Sequence, residues 1–522
     1  MNLEIKNSFP RRAFNKKWQF CVGSCHAATL LRADALRQLK RVHDELGIRY
    51  VRCHGIFNDD MHTLTSFQDV LDIPGGERFV ERSFWHCGVA YDNVLSCGMK
   101  PFVELSFMPE LLARNKAHGK LLYGSITSMP VDLTVWGEYI SAFVQYLIRR
   151  YGRQEVESWY FEVWNEPDLQ AMFFQGTQED YFSLYAATAN AIKAVCPTLR
   201  VGGPATSASK WIAEFVSFCE ENRVPVDFIS THQYVGDPFL GISDSENFSL
   251  DEVQARMAQT AARFAQAPAD TPFVELLRMF SAGERSGLDR DVFAKNAAIV
   301  RQQAHGLPVF YTEWNLSASF GGYDNDTRKA AAYDLRTALR TNDLLDGSSI
   351  WCYSDIFEEL HQFTNEFHGG FGMLTLNGVP KPVFYAMKLM AQAAENRIEL
   401  DECQFTRVEA AAFENEREIQ VLLFRLELDE TDDPAEPVSI RVELEHPPRN
   451  VTIQRIDEHH CNPLKVWEQI GSPADLTPEQ ARNLEASSAL RMEPLRWQYK
   501  DGAVTADEVI GSNDIAFIRI VK

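Results

Sequence analysis

Short apolar segments rich in β-branched and aromatic residues recur along the first three quarters of the chain. Their side chains are apolar at consecutive positions and not only at alternate ones, which is typical of parallel strands buried on both faces. The eight predicted strands cover residues 18–23, 48–54, 100–107, 159–165, 200–204, 226–232, 308–313 and 349–354.

Amphipathic stretches separate these segments. In residues 34–46, for example, Leu36, Leu39, Val42 and Leu46 recur at the spacing of one helical face. Strand followed by helix, repeated eight times, predicts a (β/α)8 barrel. The other clearest predicted helices cover residues 134–151, 181–195 and 211–220.

Two further regions depart from this alternation. Residues 237–300 are rich in alanine, glutamine and acidic residues, and they predict a helical insertion over the barrel rim whose role stays open. After residue 396, strand-like segments at 419–426, 438–444 and 515–521 follow one another. We therefore expect a barrel over residues 15–395 and a smaller all-β, β-sandwich-like domain over residues 396–522, joined by residues 1–14.

Composition and charge narrow the function. Of the 522 residues, 45% are hydrophobic and 24% are charged, as in ordinary folded proteins and not in disordered chains. The formal net charge is 51 − 73 = −22, which disfavours nucleic acid and anionic membranes as partners. A neutral or cationic small molecule is the expected substrate, and self-association into a homo-oligomer stays open.

Cysteine usage and the N-terminus predict a cytoplasmic protein. The ten cysteines are scattered without a Cys-x-x-Cys pair, which favours reduced thiols over disulfides or a zinc site. Basic residues in the segment 1–18 are followed by no apolar stretch, so we expect no secretory signal.

Reactive side chains lie at the ends of several predicted strands. Strand four ends in Asn165-Glu166-Pro167 and strand seven in Glu313. In a barrel, the carboxyl ends of the strands form the active site, so the two carboxylates are expected to face each other across one mouth. Paired carboxyls flanked by aromatic rings suit glycoside hydrolysis, in which one acid protonates the leaving oxygen and the other attacks or activates water.

Residues 161–168, Phe-Glu-Val-Trp-Asn-Glu-Pro-Asp, resemble the acid/base strand of the large glycosidase clan built on such barrels, and residues 311–315 resemble its nucleophile strand. Within the clan the chain is similar to glycoside hydrolase family 39, the β-xylosidases. The ordered segments that carry this resemblance are 50–55, 102–109, 224–230, 351–359, 368–374, 380–385 and 471–480.

The resemblance implies a role for each matching position. Glu166 would be the general acid/base and Glu313 the nucleophile of a retaining double displacement, with neither metal nor cofactor. Asn165 would bind the sugar hydroxyl next to the anomeric carbon. The glycone subsite would be lined by His54, His232, Tyr234, Trp351 and Glu359.

The sequence also departs from the family pattern. Leu316-Ser317-Ala318 stands where the family tends to have Thr-Ser-Tyr, and that tyrosine helps to form the sugar pocket. Strand one ends in Gly23-Ser24-Cys25-His26, and Cys53 replaces a glycine before His54. We expect an exo-acting enzyme that releases xylose from short xylo-oligosaccharides, with an arabinoside, galactoside or glucoside as the alternative glycone.

Other classes of function fit less well. A carbohydrate-binding protein that had lost catalysis would lack one carboxylate, whereas Glu166 and Glu313 are both present. A metalloenzyme would need clustered ligands at the strand ends. His54, His232 and Asp355 are available, but they lie among residues suited to sugar binding. The sequence leaves open the linkage, the aglycone, and endo- against exo-action.

Overall fold

The computed structural model describes residues 1–72, 74–119, 123–170, 172–237, 258, 261–269, 271, 275–276, 288–318, 323–359, 365–429 and 433–522. The predicted insertion at 237–300 therefore lies largely outside the described residues. Among the described helices, none is long and apolar enough to cross a membrane.

The strands alternate with helices in the first part of the chain and follow one another closely in the last part. In chain order they are β1 Asn2–Ile5, β2 Arg11–Ala13, β3 Cys21–His26, β4 Tyr50–His54, β5 Leu64–Ser66, β6 Val80–Arg82, β7 Lys100–Leu105, β8 Tyr160–Val163, β9 Arg200–Thr206, β10 Phe228–Tyr234, β11 Val309–Asn315, β12 Gly347–Ile350, β13 Asn396–Ile398, β14 Val408–Glu414, β15 Glu418–Arg425, β16 Glu436–Glu443, β17 Asn450–Ile456, β18 Glu493–Pro494, β19 Trp497–Lys500, β20 Ala503–Ile510 and β21 Ile515–Val521.

The described helices mostly alternate with the strands of the first part, and the final two lie in the last part. They are α1 Ala33–Leu46, α2 Phe67–Leu71, α3 Trp85–Ser96, α4 Leu133–Tyr151, α5 Arg153–Val156, α6 Gln178–Val195, α7 Ile212–Asn222, α8 Val292–Gln303, α9 Arg328–Thr341, α10 Pro382–Gln392, α11 Pro463–Gln469 and α12 Pro478–Ser487.

A closed parallel barrel confirms the predicted fold. Its strands follow the order β3-β4-β7-β8-β9-β10-β11-β12, and β12 pairs back to β3. Phe20, Phe102, Phe228 and Phe310 pack against one another inside it and fill its floor, so only the opposite end is open to substrate.

All eight predicted barrel strands are present, with ends displaced from the prediction by up to four residues, as the first and the eighth strand illustrate. Trp18 lies in a short 3-10 turn, Lys17–Gln19, and the first strand starts only at Cys21. The eighth strand ends at Ile350, which makes Trp351 the residue directly after it. Both segments are apolar and buried, and burial alone does not separate a strand from a buried turn.

The C-terminal region forms two sheets. The larger has the order β18-β17-β21-β15-β14-β13-β2, and the smaller β1-β16-β20-β19. Along β15, Val421 and Leu423 face the smaller sheet, whereas Leu422 and Phe424 pack into the barrel core. The larger sheet is thus buried on both faces, and this fixes the accessory strands to the barrel.

The predicted C-terminal strands are accompanied by two helices, α11 and α12. Residues 471–480, assigned by the sequence to the β-domain, include the start of α12. There Thr477 accepts a hydrogen bond from the N–H of Gln480, whose side chain in turn accepts from the N–H of Thr477. This capping box with Pro478 at the first helical position is a helix-start signal that the sequence does carry.

Candidate active site

The turn after β8 places Glu166 over the barrel mouth. Trp164 and Glu166 both have left-handed backbones, with φ of 73° and 41°. Such a conformation is unfavourable for residues other than glycine, and it persists here because the surroundings hold it. The N–H of Glu166 donates to the carbonyl of Ala205 at 2.8 Å, and the Trp164 indole is fully buried.

Glu166 and Glu313 face each other across the mouth with His232 between them. One carboxylate oxygen of each, together with a ring nitrogen of His232, lie within 4.8 Å of one another. Nδ1 of His232 is 2.9 Å from Oε1 of Glu166 and 3.7 Å from Oε2 of Glu313. Such a group could hold a cation, but each of the three side chains already has a protein partner.

The surroundings make Glu166 the better proton donor. Burial, followed by the nearby charge of Glu313, raises the pKa of Glu166 well above its usual range. Burial also lowers the pKa of His232 to about 4, so its imidazole is neutral near pH 7. The neighbour of Glu166 therefore supplies no positive charge that would favour loss of the proton.

Glu313, by contrast, has donors on both oxygens. The hydroxyl of Tyr234 lies 2.5 Å from Oε1, and Nη1 of Arg52 lies 3.3 Å from Oε2. Both interactions stabilise a carboxylate and fix its orientation toward the mouth. The two acids thus differ in their surroundings: burial favours the protonated form of Glu166, whereas Glu313 accepts hydrogen bonds from Tyr234 and Arg52.

Arg52, which the sequence analysis did not assign to the site, connects its parts. Its fully buried guanidinium contacts Glu162 at 2.6 Å and Glu104 at 2.9 Å, and donates to Oδ1 of Asn165 at 2.8 Å. Burial disfavours the charge, but these carboxylates outweigh it and raise the Arg52 pKa. Arg52, Glu104 and Glu162 are charged residues within otherwise apolar predicted strands. This pattern was the available sequence signal for buried ion pairs, because such residues are almost never buried unless paired.

His54 connects the buried Glu104 to Glu359 at the side of the pocket. Its Nδ1 is 2.7 Å from Oε2 of Glu104, and its Nε2 is 3.5 Å from Oε1 of Glu359. Burial opposes protonation of His54, yet Glu104 and Glu359 raise its pKa overall. Burial, with a contribution from the charge of Glu313, raises the pKa of Glu359 to about 7. The ring of Trp351 lies 4.6 Å from that of His54 and completes this wall.

Two polar atoms in the site have no partner within the described part of the chain. These are Nδ2 of Asn165 and Nε2 of His232, and both are buried. Buried polar groups are normally paired, because an unpaired one costs about 1–3 kcal/mol. Their position beside the two carboxylates suits the hydroxyl groups of a bound sugar.

An apolar cluster closes one side of the mouth. It includes Tyr234, Trp351, Phe357 and Phe371, with Tyr123 packed against it. Phe357 contacts Trp351 and Phe371 edge to face, at 5.9 and 5.3 Å between ring centroids. Such rings can stack on the apolar face of a sugar.

Tyr123 is a second residue that sequence reasoning missed. Its hydroxyl donates to Oε1 of Glu359 at 3.4 Å, and its ring stacks on His26 at 4.7 Å. It lies in a loop outside the regular elements, where no periodic pattern indicates which residues turn inward. Ala318, the position of the missing family tyrosine, is exposed, and residues 319–322 after it lie outside the described part of the chain.

The structure therefore brings together the eight side chains proposed from the sequence.

Comparison with known proteins agrees with the resemblance. Residues 1–276 and 286–505 match the family described as Glycosyl hydrolases family 39. A beta-xylosidase of Caldicellulosiruptor saccharolyticus is 38% identical over 96% of this chain and 92% of its own length. One from Geobacillus stearothermophilus is 30% identical, over 98% and 94%.

A solved structure is similar over the whole length. The crystal structure of a monomeric beta-xylosidase from Caulobacter crescentus CB15 superposes with a TM-score of 0.81 at 28% identity. The match covers 100% of this chain and 99% of that one, so the likeness includes the accessory strands as well as the barrel.

Proposed function

The chain belongs to glycosyl hydrolase family 39 and is a glycosidase; from this we propose that it is a retaining, exo-acting β-xylosidase, which releases xylose from short xylo-oligosaccharides. We therefore propose that the protein acts on a small carbohydrate in the cytoplasm and binds neither nucleic acid nor a membrane. Two relatives that span nearly the whole chain carry the name beta-xylosidase, and they support the choice of sugar.

The observation that carries the retaining mechanism is the distance between the two acids. Oxygens of Glu166 and Glu313 lie within 4.8 Å. Retaining enzymes hold their carboxyls about 5–5.5 Å apart, whereas inverting enzymes need about 6.5–9.5 Å to admit a water between acid and base. The close approach of these two oxygens favours the retaining arrangement and supports direct attack by one carboxylate.

In the proposed reaction, Glu313 attacks the anomeric carbon while Glu166 gives its proton to the departing glycosidic oxygen. The glycosyl–Glu313 ester is then hydrolysed by a water molecule, from which Glu166 takes a proton as general base. The raised pKa of Glu166 supports the first step. Departure of the first product lets the same carboxyl act in the second step.

The remaining residues of the site are assigned to sugar binding. We propose that Nδ2 of Asn165 donates to a glycone hydroxyl and that Nε2 of His232 forms a hydrogen bond with another, since neither atom has a partner in the described structure. His54 and Glu359 would bind hydroxyls at the far side, and Trp351 would stack on the ring. Tyr234 would hold the nucleophile through its 2.5 Å hydrogen bond to Glu313.

The identity of the sugar is tested by a panel of 4-nitrophenyl glycosides. Xylose lacks the hydroxymethyl group of glucose or galactose, and rejection of that group by packing is worth about 10–200-fold. We expect kcat/KM to be highest on the β-xyloside, with weaker hydrolysis of an arabinoside or galactoside. If another glycoside is hydrolysed and the β-xyloside is not, the xylosidase proposal is overturned. The proposed mechanism with two carboxylates would be unaffected by that result.

Stereochemistry and mode of action need separate measurements. Proton NMR during early hydrolysis should show β-xylose before mutarotation, and the α-anomer as first product would overturn retention. Xylotetraose should yield xylose and xylotriose before any xylobiose accumulates. Early release of xylobiose would instead indicate endo-action.

A further inference from the structure

A buried lysine behind the sugar-facing wall has no part in the reaction described so far. Lys381 is fully buried, and its Nζ forms ion pairs with Asp326 at 2.6 Å and Asp355 at 2.7 Å. It also donates to the carbonyl of Gly370 at 3.0 Å. One ammonium thus connects three chain segments, of which Asp326 follows β11 and Asp355 follows β12.

Each acid in this cluster holds backbone on its other side. Asp326 accepts from the N–H of Gly369 at 2.6 Å, and Asp355 accepts from that of Gly372 at 2.8 Å. The glycine at 370 is required by this packing, since a Cβ there would lie 2.4 Å from Oδ1 of Asp355. The segment 369–372 is therefore fixed from behind by charge.

The front of the same segment forms the wall of the sugar pocket. The carbonyl of Phe371 accepts from the N–H of Cys352 at 3.1 Å, next to Trp351. Nδ2 of Asn315, two residues after Glu313, donates to the carbonyls of Trp351 and Phe371 at 2.6 and 3.3 Å. Displacement of 369–372 would therefore move the Trp351 and Phe371 wall relative to Glu313.

We propose that Lys381 is a positioning residue for sugar binding, which acts through Asp326, Asp355 and the segment 369–372 to hold Trp351 and Phe371 against the glycone. This inference rests on the proposed function, since it assumes that a sugar occupies the pocket. It does not depend on which sugar that is. Lys381 itself touches neither substrate nor the reacting atoms.

Charge makes this role distinguishable from ordinary packing. Asp326 and Asp355 face Lys381 directly, and His368 and Glu366 act on these two acids from the adjoining segment. Burial and the neighbouring Asp355 raise the pKa of Asp326 even with the lysine present. Without the ammonium, the pKa of Asp326 rises further, because Lys381 is the main group that opposes the effect of burial on this acid.

The test is Lys381→Met, compared with Lys388→Met on the same helix. Lys388 pairs with Glu45 at 2.6 Å on the partly exposed outer face, away from the site. The probe is whichever aryl glycoside the unmodified enzyme hydrolyses fastest, so a wrong choice of sugar leaves the test intact. In Lys381→Met we expect KM to rise about 10-fold and kcat to change less than about 2-fold, as expected for lost sugar packing. Lys388→Met should change neither.

The pH dependence supplies the second readout. At low pH Asp326 is protonated and its repulsion of Asp355 is removed, so KM of Lys381→Met should approach that of the wild type. At high pH Asp326 is ionised beside Asp355 without the ammonium between them, and KM should rise. Adding Asp326→Asn removes one charge and should flatten this rise.

Three results would overturn the proposal. The first is an unchanged KM in Lys381→Met. The second is a loss of kcat as large as the rise in KM, with a KM that does not depend on pH. The third is a pH dependence of KM that the added Asp326→Asn substitution leaves unaltered. If Lys381→Met does not fold, Asp326→Asn alone is measured, since its amide oxygen can still accept from Gly369. It should then raise KM modestly without lowering kcat, and a loss of kcat alone would contradict the inference. Inactivity of the unmodified enzyme on every glycoside would instead count against the proposed function.

Discussion

The hydroxyl of Tyr234 lies 2.5 Å from Oε1 of Glu313, so that the end of β10 is joined to the end of β11 at the base of the sugar site. Burial, followed by the charge of Glu313, raises the pKa of Tyr234 well above its usual range, and the phenol keeps its proton. The tyrosine is therefore a permanent donor to the carboxylate that we assign as nucleophile.

Tyr234→Phe should lower kcat/KM by about 10–100-fold, since a hydrogen bond to a charged group contributes about 1.5–3 kcal/mol. The loss should appear on substrates with good and poor leaving groups alike, because it concerns the nucleophile and not protonation. The matched control is Tyr311→Phe on β11, whose hydroxyl contacts Ser209 at 2.8 Å. Equal losses in the two variants would argue for a general effect on folding and against the proposed contact.

Substitution of the two acids should separate their roles. Glu313→Ala should remove activity on every glycoside, and added azide should restore turnover with a glycosyl azide of inverted configuration. Glu166→Ala should spare aryl glycosides with good leaving groups far more than xylobiose, because only the latter requires protonation of its leaving oxygen. Rates are compared across a series of aryl leaving groups. A similar loss in both variants on the best leaving group would contradict the assignment.

The pH profile should depend on Asp237, whose carboxylate accepts from the N–H of Tyr234 at 2.6 Å beside the site. Burial raises the pKa of Asp237 to about 7, and its charge contributes to the raised pKa of Glu166. Asp237→Asn removes this charge, so Glu166 should lose its proton at lower pH. We expect the alkaline limb of kcat/KM for xylobiose to move toward acid pH. Asp237→Glu retains the charge and serves as the control; an unmoved limb in Asp237→Asn would exclude this coupling.

Much of the barrel could be predicted because its signals are local. Consecutive apolar residues mark each strand, and Glu166 and Glu313 follow two of them. The sequence predicts that the eighth strand extends to residue 354, whereas it ends at Ile350. The prediction is too long because Trp351 is as buried as the strand before it. Length and polarity of a segment do not show where its backbone pairing stops.

The charges behind the site could not be assigned from sequence alone. Arg52 contacts Glu104, Glu162 and Glu313, which lie 52, 110 and 261 residues further along the chain. Such pairing depends on which strands become neighbours, and it is a property of the closed barrel. Lys381 was likewise missed, although it lies within a segment that carries the family resemblance.

Glu409 on β14 connects the accessory strands to the barrel through three arginines. Arg336 donates to its Oε1 at 2.7 Å and Arg340 to its Oε2 at 2.7 Å, and Arg290 contacts Oε1 as well. The Glu409 side chain is only 4% exposed. Burial alone would raise its pKa, but the guanidinium groups outweigh burial and lower it.

Glu409→Gln should therefore lower the free energy of unfolding by about 3–5 kcal/mol near neutral pH, because the buried Arg336 and the partly exposed Arg290 and Arg340 lose their shared counter-charge. A carboxylate whose pKa is lower in the folded state stabilises the protein above its unfolded pKa, and this contribution disappears as the pH falls through the folded value. The difference between wild type and Glu409→Gln, measured by urea unfolding, should accordingly shrink toward acid pH. Glu402→Gln is the control, since Glu402 pairs with Arg340 at 2.8 Å but is 60% exposed, and it should cost less than about 1 kcal/mol. Equal effects of the two substitutions, or a difference for Glu409→Gln that stays constant with pH, would show that the charge of Glu409 does not hold the two parts together.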